Sequence, residues 1–211
     1  MQQFDNGNFR LLCDQLARKD RDLKGIIRDY GYPPMWTRPA TFQTLILTIL
    51  EQQVSLAAAY AAFKKLREKI GYVTPAKILA MTDEEMRDVY FTRQKMGYAR
   101  ELARAIYSHK LVLKKLEPLP DEAVRAQLIQ LKGIGHWTID VYLMHALQRT
   151  DLFPLGDIAL VNSLKLIKKL PSDISKEEML KIAEPWRPNR TIAAMLLWHA
   201  YIKRKGIVIS Q

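Results

Sequence analysis

Apolar side chains recur at helical spacing along most of the chain. Between residues 8 and 30, Phe9, Leu12, Leu16 and Leu23 fall on one face of a helix, with charged residues between them. Similar patterns predict further helices, at residues 41–70, 92–111, 136–149, 157–169, 175–184 and 189–204, with short helices starting near Thr74 and Thr82 and one in DEAVRAQLIQL. No run alternates in the manner of a strand, and IVIS at 207–210 is too short to predict one. The pattern therefore predicts an all-α protein of roughly nine to eleven helices.

A proline-rich segment separates the first helical stretch from the second. Residues 30–40, YGYPPMWTRPA, cannot form a continuous helix, because proline lacks the backbone N–H that helix hydrogen bonds need. Thr41 is suited to cap the next helix, and Gly71 to end it. We expect residues 31–39 to form the connection between two lobes.

Composition narrows the class of partner. The 211 residues include 33 Lys and Arg against 22 Asp and Glu, a net charge of +11, which predicts a polyanionic partner, most simply nucleic acid. The alternative is a soluble protein that happens to be basic. The single cysteine, Cys13, cannot form an internal disulfide, a Cys-rich zinc site or an iron–sulfur cluster, so we expect no metal site of that kind and a reducing location, cytosolic or nuclear. The charged N-terminus does not resemble a signal peptide, and no apolar run is long enough to cross a bilayer.

The segment LKGIGHW at 131–137 predicts a tight turn between two helices. Gly133 and Gly135 permit backbone angles that other residues avoid, and they leave the amides around Ile134 bare. The next helix starts here, so its first N–H groups lack intrahelical partners and carry the positive end of the helix dipole. This arrangement predicts that the turn binds one DNA phosphate without recognising the base sequence. The His136 and Thr138 side chains are further candidate donors. The alternative is an ordinary helix–helix corner that needs glycine for close packing.

An acidic residue follows a short apolar loop some twenty positions later. Asp157 ends the segment Phe153-Pro154-Leu155-Gly156 and begins a predicted helix. By position alone, its simplest role is that of an N-cap.

These motifs together resemble one protein family. LKGIGHWTIDVYL, followed by DLFPLGDIAL, is similar to the helix-hairpin-helix (HhH-GPD) DNA glycosylase superfamily, and most similar to its 3-methyladenine DNA glycosylase II group, which removes alkylated bases. FQTLILTILEQQVSLAAA (42–59) resembles the family's helix-and-wedge segment, and PWRPNRTIAAMLLWHAY (185–201) its C-terminal helix. The resemblance spans about residues 38–202.

The resemblance implies an all-helical fold of two lobes with a cleft between them. One lobe is expected from residues 1–40 and 150–211. The other is expected from residues 41–149 and carries the wedge segment and the hairpin at 131–148. The expected protein is a monomer that acts on double-stranded DNA containing a damaged base.

The resemblance also implies a catalytic residue and a base pocket. Asp157 falls where these enzymes keep their catalytic carboxylate, and Trp137 and Trp198 fall where alkyl-base glycosylases carry pocket tryptophans. Relatives that nick the strand place at position 137 a lysine whose amine attacks the sugar. Trp137 therefore implies hydrolysis by water alone, leaving an abasic site. The family's pocket Tyr is replaced by Val141, and Trp36 in the proline-rich segment is a further candidate for aromatic surface.

The segment EQQVS resembles the family's wedge, which fills the gap that a flipped base leaves. Gln53 is at the wedge position with Gln52 beside it, and a polar residue in so apolar a stretch suggests that the helix breaks there. The alternative for Gln53 is a helix-end amide that bonds to nearby backbone. Basic candidates for phosphate contacts, which also fit ordinary solvated faces, are Arg93, Lys95, Arg100, Lys165, Lys168, Lys169 and Arg190.

Two other functions stay open at this point. A non-catalytic helix-hairpin-helix DNA-binding module would account for the hairpin, but not for Asp157 after a Phe-Pro loop or for the EQQVS segment. An oxidised-base glycosylase with lyase activity is disfavoured by Trp137. No cofactor is expected, apart from a monovalent cation that hairpins of this family often hold through backbone carbonyls.

Overall fold

The computed structural model describes residues 2–207, and in that part of the chain every regular element is a helix. In chain order the α-helices are α1 (Phe9–Lys19), α2 (Arg21–Tyr30), α3 (Phe42–Glu51), α4 (Leu56–Ile70), α5 (Pro75–Ala80), α6 (Asp83–Asp88), α7 (Arg93–Tyr107), α8 (Asp121–Leu128), α9 (His136–His145), α10 (Ile158–Ile167), α11 (Lys176–Ala183) and α12 (Arg190–Lys205). Two short 3-10 helices, at Leu113–Lys115 and Glu184–Trp186, complete the set. The predicted all-α class is confirmed, whereas residues 208–210 of the IVIS segment lie outside the described residues.

The described residues form more helices than the nine to eleven expected, because capping side chains interrupt continuous apolar patterns. Asp20 divides the stretch 8–30: its Oδ1 accepts from the backbone N–H groups of Asp22 and Leu23, at 2.9 and 3.2 Å, and so starts α2. Residues 52–55 separate α3 from α4, where the Ser55 hydroxyl oxygen accepts from Ala58 N at 3.2 Å. The break expected near Gln53 is therefore present, and the break at Asp20 was missed.

The chain forms two compact units. The first combines Met1–Thr37 with Leu143–Gln211, and the second is Arg38–Tyr142. Both limits lie N-terminal to the lobe boundaries that the family resemblance implied, after residues 40 and 149. At the second limit, the last residues of α9 pack within the first unit, where His145 stacks on Trp198.

Helix α12 is the centre of the first unit. Every residue from Thr191 to Ala200 is buried, and the helix packs against α1, α2 and α10. A helix that is apolar on all sides needs neighbours on all sides, and the small Ala193 and Ala194 let those neighbours approach closely. This central position carries Trp198 into the interior of the unit.

Helix α3 has the same role in the second unit, where it packs against α4 and α7. Buried polar groups hold its C-terminal end. The Arg38 guanidinium binds the Glu51 carboxylate through two contacts of 2.5 and 2.8 Å, and Lys95 Nζ donates to the Leu50 carbonyl at 2.7 Å. Burial lowers the pKa of Lys95. The segment that follows, with Gln52 and Gln53, therefore starts from a firmly held helix end.

Asp20 is also bound by two side chains from distant parts of the first unit. Lys168 Nζ lies 2.8 and 2.7 Å from its two carboxylate oxygens, and Trp186 Nε1 donates to Oδ2 at 2.8 Å. Burial opposes ionisation, but the hydrogen bonds from Lys168, Trp186 and the Leu23 amide outweigh it and hold the pKa of Asp20 below its ordinary 3.8. The ionised form of Asp20 thus stabilises the folded unit.

We expect the substitution Asp20→Asn to lower the free energy of unfolding at pH 7 by about 1–3 kcal/mol, the usual range for a lost charge-assisted hydrogen bond. Because the folded pKa lies below the unfolded one, this contribution is complete above about pH 4–5 and disappears as the pH falls through the folded value. Urea unfolding of both proteins at pH 7 and pH 3 measures the effect. A difference that stayed the same at both pH values would contradict this explanation.

Candidate active site and hairpin

The turn between α8 and α9 requires glycine at position 133. Gly133 has φ +91°, and a Cβ added there would lie 2.0 Å from Cγ of the Tyr98 ring. A Cβ added to Gly135 would meet open space. Ile134, between them, is buried. Gly133 therefore serves close packing, as the structural explanation of the turn expects, while Gly135 leaves the outer side of the turn uncovered.

The two candidate donor side chains in the first turn of α9 differ in exposure. His136 is exposed, but Thr138 is only 2% exposed and its Oγ1 lies 3.0 Å from Gln52 Nε2, which donates to it. The expectation that the Thr138 side chain is an outward donor is thus corrected: its hydroxyl faces the interior of the unit. Helical hydrogen bonding in α9 begins with the Ile139 N–H, which donates to the Gly135 carbonyl at 3.0 Å, and such a helix start carries the positive end of the helix dipole.

Gln52 and Gln53 have different surroundings. Gln52 is half-buried, and its Nε2 donates to the Gly133 carbonyl at 2.8 Å as well as to Thr138, which ties the segment after α3 to the hairpin. Gln53 is exposed and adopts φ +58°, a left-handed conformation that costs a non-glycine residue about 1–2 kcal/mol. Of the two wedge candidates, Gln53 is therefore the one presented outward, and Gln52 is a structural link.

Asp157 is the N-cap of α10. The loop before it is closed by the Asp157 N–H, which donates to the Pro154 carbonyl at 2.9 Å. The carboxylate oxygen Oδ1 accepts from Leu160 N at 2.8 Å and from the Trp198 indole Nε1 at 3.0 Å. The capping role expected from position is thus present, and a second donor from α12 is added to it. Two helices hold this carboxylate.

Trp198 belongs to a row of aromatic groups in the first unit. Its ring stacks on His145, with centroids 5.7 Å apart and an interplanar angle of 25°. His145 Nδ1 lies 2.8 Å from the Trp36 carbonyl, and since a carbonyl only accepts, this nitrogen carries the proton. The Trp36 ring in turn lies 6.4 Å from that of His199. The structure therefore brings together Asp157, Trp198 and Trp36, while Trp137 is a half-exposed residue of α9 in the second unit.

His145 is the residue of this row that the sequence did not single out. It lies at the end of α9, after a run of buried apolar residues, and resembles an ordinary helix-end histidine. The contacts that give it a role come from Trp36 and Trp198, which are distant in sequence.

The two other acids near the hairpin motif are engaged structurally. Asp151 binds Arg190, with Nε 2.7 Å from Oδ1, and Arg187, with Nη1 2.9 Å from Oδ2. Asp140 binds the Arg125 guanidinium, although burial outweighs that contact and raises the pKa of Asp140. Both acids are in ion pairs.

Several basic residues proposed for phosphate contacts have internal partners. Lys95 is buried, Arg100 binds Asp83, Lys168 binds Asp20 and Asp22, and Arg190 binds Asp151. These four side chains have structural contacts within their units. Arg93 and Lys165 are exposed or half-exposed, and Lys165 Nζ donates to the Ser172 carbonyl.

Within residues 2–207, no group of three or more His, Cys, Asp and Glu side chains could hold a metal ion. No helix formed by the same residues combines the length and the apolarity needed to cross a membrane.

The hairpin, the capped acid and the all-helical fold together define a class. The chain belongs to the HhH-GPD superfamily of base excision DNA repair proteins, whose family model matches residues 46–188.

Among individual proteins, the chain is 33% identical to DNA-3-methyladenine glycosylase 1 of Schizosaccharomyces pombe over 190 residues, which cover 87% of this chain and 83% of that protein. It is 30% identical to a DNA-3-methyladenine glycosylase of Bacillus subtilis over 207 residues, or 92% of this chain. The chain spans about two thirds of the length of two matched Bacillus subtilis relatives, 65% and 68%. The solved structure of the Schizosaccharomyces pombe 3-methyladenine DNA glycosylase in complex with abasic DNA is similar, with a TM-score of 0.83 at 28% identity, covering 95% of this chain and 99% of that one.

Proposed function

We propose that this protein is a monomeric DNA glycosylase of base excision repair, which hydrolyses the N-glycosidic bond of alkylated purines such as 3-methyladenine and 7-methylguanine in double-stranded DNA. It would act wherever the DNA is, in the cytoplasm or the nucleus. The observation that carries the proposal is the Asp157 carboxylate, held by the first turn of α10 and by the Trp198 indole in a chain of this family. The named glycosylases among its relatives support the same chemistry.

The proposed role of Asp157 follows from the charge that develops during the reaction. As the bond between base and deoxyribose breaks, the sugar becomes cationic, as in other glycoside hydrolyses. A carboxylate fixed beforehand stabilises that charge without having to reorganise, and it can orient the attacking water. Hydrogen bonds from Leu160 N and Trp198 Nε1 hold Asp157 in one position, which is the property this role needs.

Base selection is assigned to the indole rings. N-alkylated purines are often cationic, and the electron-rich face of an indole favours a cation by roughly 0.5–2 kcal/mol. Trp137 is half-exposed and is the first candidate for such a face. Trp198 offers a base little surface, because it is only 9% exposed and His145 stacks on it. Trp36 is half-exposed beside His199 and is a further candidate.

The proposed reaction ends at the abasic site. Strand cleavage by lyase relatives needs an amine at position 137, where this chain has Trp137. Water is then the nucleophile, and the DNA strand stays intact until another activity cuts it.

The hairpin and the turn after α3 are assigned to holding and distorting the duplex. The amides at the start of α9 would bind one phosphate, while Gln53 would enter the stack as the damaged base swings out. Carbonyl oxygens of the hairpin suit a monovalent cation. Even the Gly133 carbonyl, which accepts from Gln52, keeps a second lone pair.

The wedge assignment predicts opposite effects of Gln53→Gly on stability and on activity. Glycine relieves the left-handed strain at φ +58°, so the free energy of unfolding should stay within about 1 kcal/mol of the wild-type value or rise. Excision from duplex DNA should slow by about tenfold, because nothing fills the gap left by the flipped base. Single-turnover rates on a duplex and on the same lesion in single-stranded DNA measure the effect. Equal rates for variant and wild type on both substrates would remove the wedge role from Gln53.

Strand-break assays on three DNAs test the proposed function. Purified protein is incubated with methylated, oxoguanine-containing and undamaged duplexes, and each product is analysed with and without alkali. We expect breaks in methylated DNA alone and only after alkali. Breaks without alkali in oxoguanine DNA would indicate a lyase that acts on oxidised bases, and binding without any breaks would indicate a non-catalytic DNA-binding module.

A further inference from the structure

Trp198 makes a specific polar contact that a residue serving only to line a base pocket would not need. Its Nε1 donates to Asp157 Oδ1 at 3.0 Å, and the residue as a whole is 9% exposed. The indole has one hydrogen-bond donor, and that donor is directed at the proposed catalytic carboxylate.

The ring that carries this donor is itself held in place. His145 stacks on it with centroids 5.7 Å apart, and the protonated His145 Nδ1 donates to the Trp36 carbonyl at 2.8 Å. The row thus runs from the backbone of the proline-rich segment, through His145, to the indole of α12. Each contact restricts the rotation of the next group.

We propose that Trp198 is a positioning residue that fixes the orientation of the Asp157 carboxylate, and that His145 holds the indole ring in place. This inference rests on the proposed function, since it assigns Asp157 to the reaction. It differs from the role that the family resemblance implied for Trp198, which was contact with the base.

The second donor narrows the orientations open to the carboxylate. The torsion that turns the carboxylate of an aspartate is broad, so each hydrogen bond to it restricts the group further. Leu160 N donates to Oδ1 from α10 and Trp198 Nε1 donates to the same oxygen from α12, so two separate helices fix its position. Electrostatic stabilisation of a developing cation depends on such prior orientation, because reorganisation during the reaction would cost free energy.

The chain contains a matched pair for comparison. Trp186 Nε1 donates to Asp20 Oδ2 at 2.8 Å, and Asp20 is also the N-cap of a helix in the first unit. There Lys168 binds both carboxylate oxygens, so the group serves stability. Each indole N–H can therefore be removed in turn. Comparison of the two variants separates an effect on the excision rate from the general effect of losing an indole–carboxylate hydrogen bond.

The test compares Trp198→Phe with Trp186→Phe. Phenylalanine keeps an aromatic ring that can stack on His145 but has no N–H. Trp198→Phe should slow single-turnover excision of 7-methylguanine from a duplex by about tenfold, the loss expected for one hydrogen bond to a charged group. Its affinity for a duplex containing a tetrahydrofuran abasic analogue should change less than threefold. Trp186→Phe should lower the midpoint of thermal unfolding and leave the excision rate within threefold of wild type.

A double-mutant cycle with Asp157→Asn distinguishes positioning from direct contact. If Trp198 acts through the Asp157 carboxylate, Trp198→Phe should slow the wild-type enzyme and have no further effect once Asp157 is Asn. Equal slowing in both backgrounds would overturn the inference and assign Trp198 to the base. Should Trp198→Phe fail to fold, His145→Ala takes its place in the same cycle, with the same two outcomes.

Failure of this inference and failure of the proposed function give different results. If wild-type protein releases no methylated base, the proposed function falls and the inference with it. If wild-type protein is active and Trp198→Phe excises at the wild-type rate, the inference alone is overturned.

Discussion

Asp157→Asn is expected to slow base excision by on the order of a hundredfold or more, comparable to the loss of other preorganised electrostatic groups. Asparagine can still cap α10, because its side-chain oxygen can accept from Leu160 N as the aspartate does at 2.8 Å. What disappears is the negative charge that would face the sugar as it becomes cationic. Single-turnover release of 7-methylguanine, measured with enzyme in excess over DNA, reports this step alone.

The control for this prediction is Asp20→Asn. Asp20 is also an N-cap and also accepts from an indole, that of Trp186, so the substitution removes a similar charge from the same unit. We expect it to cost stability and to leave the excision rate within about threefold of wild type. If a folded Asp157→Asn protein released base at nearly the wild-type rate, Asp157 would be a cap and nothing more.

Gly133→Ala is expected to lower the free energy of unfolding by about 2–5 kcal/mol, and to abolish tight DNA binding in whatever protein still folds. The new methyl group would lie 2.0 Å from the Tyr98 ring, and φ +91° is unfavourable for alanine. Overpacking costs roughly 1–3 kcal/mol and left-handed backbone about 1–2 kcal/mol. Urea unfolding and fluorescence anisotropy with a labelled duplex measure the two effects.

Gly135→Ala is the matched control at the other glycine of the turn. Its methyl group would meet open space, so the free energy of unfolding should stay within about 0.5 kcal/mol of wild type. DNA affinity should still fall several-fold, because the methyl group stands near the amides that would bind phosphate. Equal destabilisation by both substitutions would contradict the separate roles assigned to the two glycines. Partial recovery of Gly133→Ala by Tyr98→Ala would confirm the clash.

Most helices could be predicted from the sequence because each buries one apolar face. Apolar residues therefore recur every three to four positions along the chain. The break at Asp20 could not, because the apolar period continues across it and a capping side chain interrupts the backbone. Near Gln53 the same kind of break was predicted, since there a polar residue interrupts an almost wholly apolar helix.

The candidate site was only partly predictable, for a related reason. The capping position of Asp157 follows from a loop that ends where a helix begins, which local sequence shows. The contacts of Trp198 and His145 depend on packing between segments far apart in the chain. Thr138 was expected to face outward, but its hydroxyl accepts from Gln52, 86 residues away in sequence, and the local pattern does not show that contact.

The most direct test of the central claim is mass spectrometry of both products from one duplex with a single 7-methylguanine. The proposed reaction predicts free 7-methylguanine together with a full-length strand that carries an intact abasic site, and it predicts neither product in comparable amount from Asp157→Asn. A shortened strand ending in an unsaturated sugar, or an unaltered duplex after incubation with folded wild-type protein, would contradict hydrolysis assisted by Asp157.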